Sequence, residues 1–135
     1  MKVFAVIDTN VLVSALLSSH LDSATSLVLN ATLCGDIIPL FNDEILAEYN
    51  EVLHREKLRI KNADANLVIS SIVEFGITAE RIASSEEFPD QKDIVFYEVA
   101  LSKEDAYLVS GNLKHFPKSS RIVSPSEMMK IIENL

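Results

Sequence analysis

Asp8 follows the apolar run Val3 to Ile7 directly, and Asn112 follows a second apolar run, Ala106 to Ser110, by two residues. If both runs are parallel strands, both polar residues stand just past C-terminal strand ends, where open sheets build their sites. Two acids then fall on helical stretches. At ~100° per residue, the apolar stripe of residues 43–55 passes through Ile45, Leu46, Tyr49, Val52 and Leu53. Glu44 and Glu51 fall outside that stripe, whereas Glu48 lies roughly 40° from Val52, at its edge. Arg55, seven residues on from Glu48, flanks the same side. Asp93 precedes Phe96, Tyr97 and Ala100 at i+3, i+4 and i+7, which sets it over an apolar face directed at the core.

Each residue also has an ordinary explanation. Asp8 can cap the helix expected from Val11, although Thr9 and Asn10 lie nearer to it. Glu48 or Glu51 can pair with Arg55 on the surface, for a few tenths of a kcal/mol. Asp93 can serve the helix dipole, but Asp90 already supplies a first-turn acid. Taken together, Asp8, Glu48 and Asp93 make a carboxylate cluster with Asn112 beside it. Such acids repel, raise one another's pKa and stay ionised only against a cation. Oxygen donors without Cys or His select a hard ion, Mg²⁺ or Mn²⁺, whose chemistry is hydrolysis at phosphorus.

The elements that must position these residues alternate between strand and helix. Val3 to Ile7, Ile37 to Leu40, Ala106 to Ser110 and Arg121 to Val123 read as strands, the second weakened by Pro39 and so expected near an edge. Val11 to Leu17, Asp22 to Cys34, Asp43 to Arg55, Ala63 to Phe75 and Asp90 to Ser102 read as helices, with Gly35 and Gly76 as stops. Ser124-Pro125-Ser126-Glu127 is a capping box that opens a last helix, while residues 77–88 fit neither pattern. The alternation predicts an α/β fold: a three-layer α/β/α sandwich around a central, mostly parallel sheet, as one domain over residues 1–135.

Composition bounds the function. Hydrophobic residues make up 48% and charged residues 24% of 135, the mix of a globular chain rather than a disordered one. Asp8 interrupts the first apolar run, so neither a membrane span nor a secretory leader is expected. A lone cysteine, Cys34, forms no internal disulfide, which points to the cytoplasm; it is expected to be buried as a small apolar residue. His20, His54 and His115 are scattered and form no zinc pattern. No glycine-rich phosphate loop occurs. The net charge of −8 disfavours a general nucleic-acid binder. Two basic clusters stand against it, Arg55, Lys57, Arg59 and Lys61, then Lys114, Lys118 and Arg121, and both suit local phosphate contacts.

Four segments carry a resemblance. Val6-Ile7-Asp8-Thr9-Asn10-Val11-Leu12-Val13-Ser14 resembles the opening of PIN-domain proteins. Glu44-Ile45-Leu46-Ala47-Glu48-Tyr49 with Leu53-His54-Arg55 resembles the family's second motif, and Asp90-Gln91-Lys92-Asp93 its third. Tyr107-Leu108-Val109-Ser110-Gly111-Asn112, followed by Lys114-His115-Phe116-Pro117, resembles the fourth. The chain looks most like the toxin components of bacterial toxin–antitoxin systems. The resemblance implies a Mg²⁺- or Mn²⁺-dependent endoribonuclease, acting on single-stranded RNA, restrained by a protein antitoxin and often a homodimer. It makes Asp8, Glu48 and Asp93 the metal ligands. Asn112 stands where the stricter pattern has Asp and completes the catalytic set with one charge fewer. Thr9 and Ser14 match hydroxyl positions for substrate or water, and Arg55, Lys114 and Lys118 the backbone contacts. Asp90 and Ser110 are accessory positions.

Two other readings compete. A catalytically weak PIN-like scaffold binding RNA or protein would share the fold. A haloacid-dehalogenase-like phosphatase would need an acid where this chain has Asn10.

Overall fold

The computed structural model describes residues 2–135. Five parallel strands, β1 (Val3–Ile7), β2 (Ile37–Phe41), β3 (Ile77–Thr78), β4 (Tyr107–Val109) and β5 (Ile122–Val123), form one sheet in the order β3-β2-β1-β4-β5. Six helices flank it: α1 (Thr9–Leu17), α2 (Ala24–Cys34), α3 (Asp43–Leu53), α4 (Asn62–Phe75), α5 (Ile94–Leu101) and α6 (Pro125–Glu133). Helices α2, α4 and α6 pack on one face of the sheet and α5 lies across β1, β2 and β4 on the other, giving the three layers. Being central in such a sheet, β1 must be apolar on both sides, and Ala5, Val6 and Ile7 are fully buried. The chain runs outward from β1 to β3, then returns to lay β4 on the opposite side of β1. That reversal leaves a crevice between the ends of β1 and β4.

Local chemistry explains most boundaries. Ser23 caps α2 by accepting from Ser26 N, so Asp22 lies outside the helix. Gly35 ends it at φ 90°, a conformation in which a Cβ would be strained. Asn42 caps α3 through Ile45 N at 2.9 Å, and the Ser124–Glu127 capping box opens α6. The third helix stops at Leu53, short of the expected Arg55, as His54 turns its ring onto Asn50 O and Asn66 Oδ1, each 2.8 Å away. The expected helix from Asp90 begins as a 3-10 turn, Gln91–Asp93, capped by Asp90 onto Lys92 N, and becomes α-helical at Ile94.

Two expectations need correction and one holds. Cys34 is exposed at the end of α2, not buried, because it sits on the last turn and away from the sheet. The strand carrying Pro39 does lie near an edge, next to the outermost strand β3, which pairs with it only at Leu40 and Phe41, beyond the proline. Helix α1 starts at Thr9 rather than Val11, which puts Asp8 itself at the N-cap.

Residues 79–88 have no regular structure, yet they are pinned. Arg81 pairs with Glu98 at 2.7 Å and Glu44 at 2.9 Å, and Ser84 N donates to Glu98 Oε2 at 2.6 Å. Glu98 is buried on α5, so one carboxylate ties this segment to the core. Gly76 shows a different economy. A Cβ there would come within 2.5 Å of both Ile72 O and Pro39 O, neither of which can swing away. Gly76→Ala is expected to lower unfolding stability by about 1–3 kcal/mol, seen as a lower urea midpoint with an unchanged slope.

Candidate active site

The end of β1 is stitched to the end of β4. Asp8 N donates to Val109 O at 2.9 Å, and Asn10 Oδ1 accepts from Gly111 N at 3.2 Å. Asp8 occupies the N-cap of α1, but its side chain makes no capping bond. Its Oδ2 instead accepts from Ser110 Oγ at 2.7 Å and from Asn10 Nδ2 at 3.3 Å. Ser110 is fully buried and Asp8 is 6% exposed. From α3, Glu48 Oε2 accepts from Thr9 Oγ1, and the buried Tyr49 hydroxyl donates to Ile7 O, the carbonyl just before Asp8. From the start of α5, Asp93 comes 3.3 Å from His115 Nδ1, on the 3-10 turn Leu113–His115 that follows β4.

The electrostatics report one cluster. The Asp8 carboxyl is raised from the ordinary 3.8 to about 6: burial raises it most, the Ser110 bond opposes, and the charges of Asp93 and Glu48 add to the rise. Burial likewise raises Glu48, opposed by the Thr9 bond and augmented by Asp93. Asp93 is raised by burial and then by Asp90, with His115 acting against both. Burial, followed by Asp8 and Glu48, drives the Tyr49 phenol well above its usual value, so it remains a donor.

Asp93 Oδ2 is the one buried side-chain oxygen or nitrogen among the described residues without a hydrogen bond. The imidazole beside it lies within ion-pair distance but off the bonding direction. An orphaned carboxylate oxygen next to two raised carboxyls suits a hard divalent cation in donor type. No three His, Cys, Asp or Glu side chains among the described residues converge tightly enough to grip one ion together.

The remaining sequence-derived residues divide. Glu48, Val52 and Arg55 line one cleft of about 330 Å³ together with Lys92 and Arg81. Arg55 is partly engaged there by Glu51 at 2.7 Å, an exposed pair. Ser14 is not brought to the carboxylates; it faces outward and accepts from Thr25 at 3.3 Å. Asn112 is exposed and only its backbone is engaged, its N–H donating to Ser110 Oγ and its carbonyl accepting from His115 N, each at 3.0 Å. Lys114 and Lys118 line a separate groove. Asp90 is exposed and committed to its cap. Arg121 leaves the second basic cluster altogether, since its guanidinium is taken up by the carbonyls of Ala100, Lys103 and Ala106.

Sequence reasoning missed His115, Asn10, Tyr49 and Lys92. A signal existed for His115, which follows Asn112 by three residues within the fourth motif. For Tyr49 there was none, since its place in the apolar stripe is all that its spacing shows.

The sequence model of one family, described as the PIN domain, matches residues 5–114. That span holds β2, β3, β4, the end of β1 and every carboxylate of the site. The chain belongs to the PIN-domain family. PIN domains are generally nucleases that bind nucleic acids and typically use divalent metals. No curated protein and no solved structure matches this chain. In this PIN domain, His115 and the last strand and helix lie beyond the matched residues. Among the described residues, no helix is long and apolar enough to cross a membrane.

The raised Asp8 carboxyl fixes the sign of one pH effect in metal-free protein. The folded state binds the proton more tightly than the unfolded chain does. Asp8 therefore stabilises the fold below about pH 4, and that contribution is lost as pH rises through about 6. Asp8→Asn should then be the more stable protein at pH 8, by up to roughly 3 kcal/mol, with the gain vanishing toward pH 4 in urea titrations.

Proposed function

We propose that this PIN domain is a Mg²⁺- or Mn²⁺-dependent endoribonuclease acting on single-stranded RNA, the toxin of a toxin–antitoxin pair in a bacterial cytoplasm. The observation that supports the nuclease reading is the charge coupling of Asp8, Glu48 and Asp93, from three different elements, past the ends of β1 and β4, with Asp93 Oδ2 met only by the His115 imidazole and without a hydrogen bond. The toxin role, the protein antitoxin and a homodimer are supported by the resemblance of the four motifs.

Asp8 and Asp93, with Glu48 directly or through water, would hold the cation. When bound, a divalent ion neutralises phosphoryl charge and makes water a better nucleophile. The chain's own residues set the geometry. Ser110 and Asn10 hold the Asp8 carboxylate in one orientation, Thr9 holds Glu48, and Tyr49 fixes the backbone between them. Lys92 and Arg55, on the cleft beside Glu48, meet the phosphates of the incoming strand. Asn112 contributes an amide oxygen at the rim. His115, against Asp93, is placed to move a proton at that edge of the site.

An end-labelled single-stranded RNA tests the assignment. Wild type with Mn²⁺ should cleave it, leaving 5′-phosphate and 3′-hydroxyl ends; EDTA, Asp8→Asn and Asp93→Asn should each reduce cleavage to background. Mn²⁺ should also raise the Tm of wild type and leave that of Asp8→Asn unmoved. A Tm rise without cleavage would reassign the chain as a PIN-like scaffold. Equal cleavage by all three proteins would remove the nuclease reading.

A further inference from the structure

The turn Leu113–His115 faces two ways. His115 reaches Asp93, whereas Leu113 and Lys114 open onto a groove of about 520 Å³ that the carboxylate site does not use. Phe116, Pro117 and Ile122 complete its apolar lining, and Lys118 stands on it with Lys114. Phe116 packs edge-on against Phe88, ring centroids 6.0 Å apart, so the groove has a firm floor. Residues 112–121 contain no acid in a chain of net charge −8. Neither lysine makes an ion pair among the described residues. An apolar slot with two unpaired cations selects a flat apolar group joined to an anion, which in RNA is an unpaired base with its phosphates. The groove and the carboxylates also share one three-residue turn, which sets the groove beside the path of a strand crossing Asp93.

We propose that this groove is a nucleobase subsite, which takes one unpaired base of the RNA beside the scissile phosphodiester and seats the adjoining phosphates on Lys114 and Lys118. The inference rests on the ribonuclease reading, since a strand running through the carboxylates brings the base there. It gives the enzyme a base preference at one position flanking the cut.

The test uses Asp8→Asn protein and a fluorescein-labelled decaribonucleotide carrying one abasic nucleotide, moved position by position, with binding followed by anisotropy. At one position, loss of the base should weaken binding about tenfold or more. Leu113→Asp should bind the intact strand about tenfold more weakly, and should lose the sensitivity to that base. Leu113 is 39% exposed, so the fold should survive the change, and circular dichroism would check it. Lys114→Ala with Lys118→Ala should weaken all strands alike and reduce the salt slope by about 1.4. A flat abasic profile, no binding of any strand, or displacement by a ten-residue polyglutamate as readily as by RNA would each overturn the subsite. The last would make the groove a site for an acidic protein segment. Wild-type cleavage of the same strand separates the two ideas. Cleavage with a flat profile removes the groove and keeps the nuclease, whereas a base-sensitive profile without cleavage does the reverse.

Discussion

A carboxylate buried at the end of a central strand costs free energy unless polar groups or a cation meet it, and most of the molecule near Asp8 is arranged around that cost. The strand has to be apolar on both faces to occupy the middle of the sheet, so the first residue able to carry charge is the one just past it. The chain just past the neighbouring strand supplies Ser110, fully buried, whose hydroxyl donates to Asp8 and accepts from Asn112 N–H. Asn10 faces both ways, with its amide nitrogen on Asp8 and its oxygen on the backbone of Gly111. Helix α3 reaches in with Tyr49 and Glu48 on consecutive positions, so bracing the backbone and delivering a second acid are one structural act.

The fold was legible because alternating apolar runs and stops are local signals. The double-sided burial of Val3 to Ile7, the Ser124 capping box and the glycine ends of α2 and α4 all follow from a few adjacent residues. Boundaries failed where a partner far along the chain decided them. His54 ends α3 early by reaching Asn66 on the next helix, and β2 runs on to Phe41 because residues 77–78 pair with Leu40 and Phe41. Nothing within ten residues of either position announces that.

The same division holds for the site. The three acids could be singled out one at a time, from strand ends and helical angles. Their company could not. His115 and Asp93 are distant in sequence, and Ser110 meets Asp8 across 102 positions. Charge counting misled in one place for the same reason. Arg121 belongs to a basic cluster by sequence, but in space it closes the C-terminal end of α5, where three carbonyls converge on its guanidinium. Basic residues near one another in sequence are therefore not one surface here, and only the lysines of that segment face outward.

The two outermost strands, β3 and β5, are two residues long each. An edge that short presents too few free amides and carbonyls to template another strand. The sheet accordingly offers a second molecule little main-chain pairing at either outermost strand. The surface left for a partner is then mainly helices, turns and clefts, where recognition depends on side-chain identity rather than on the backbone that all chains share.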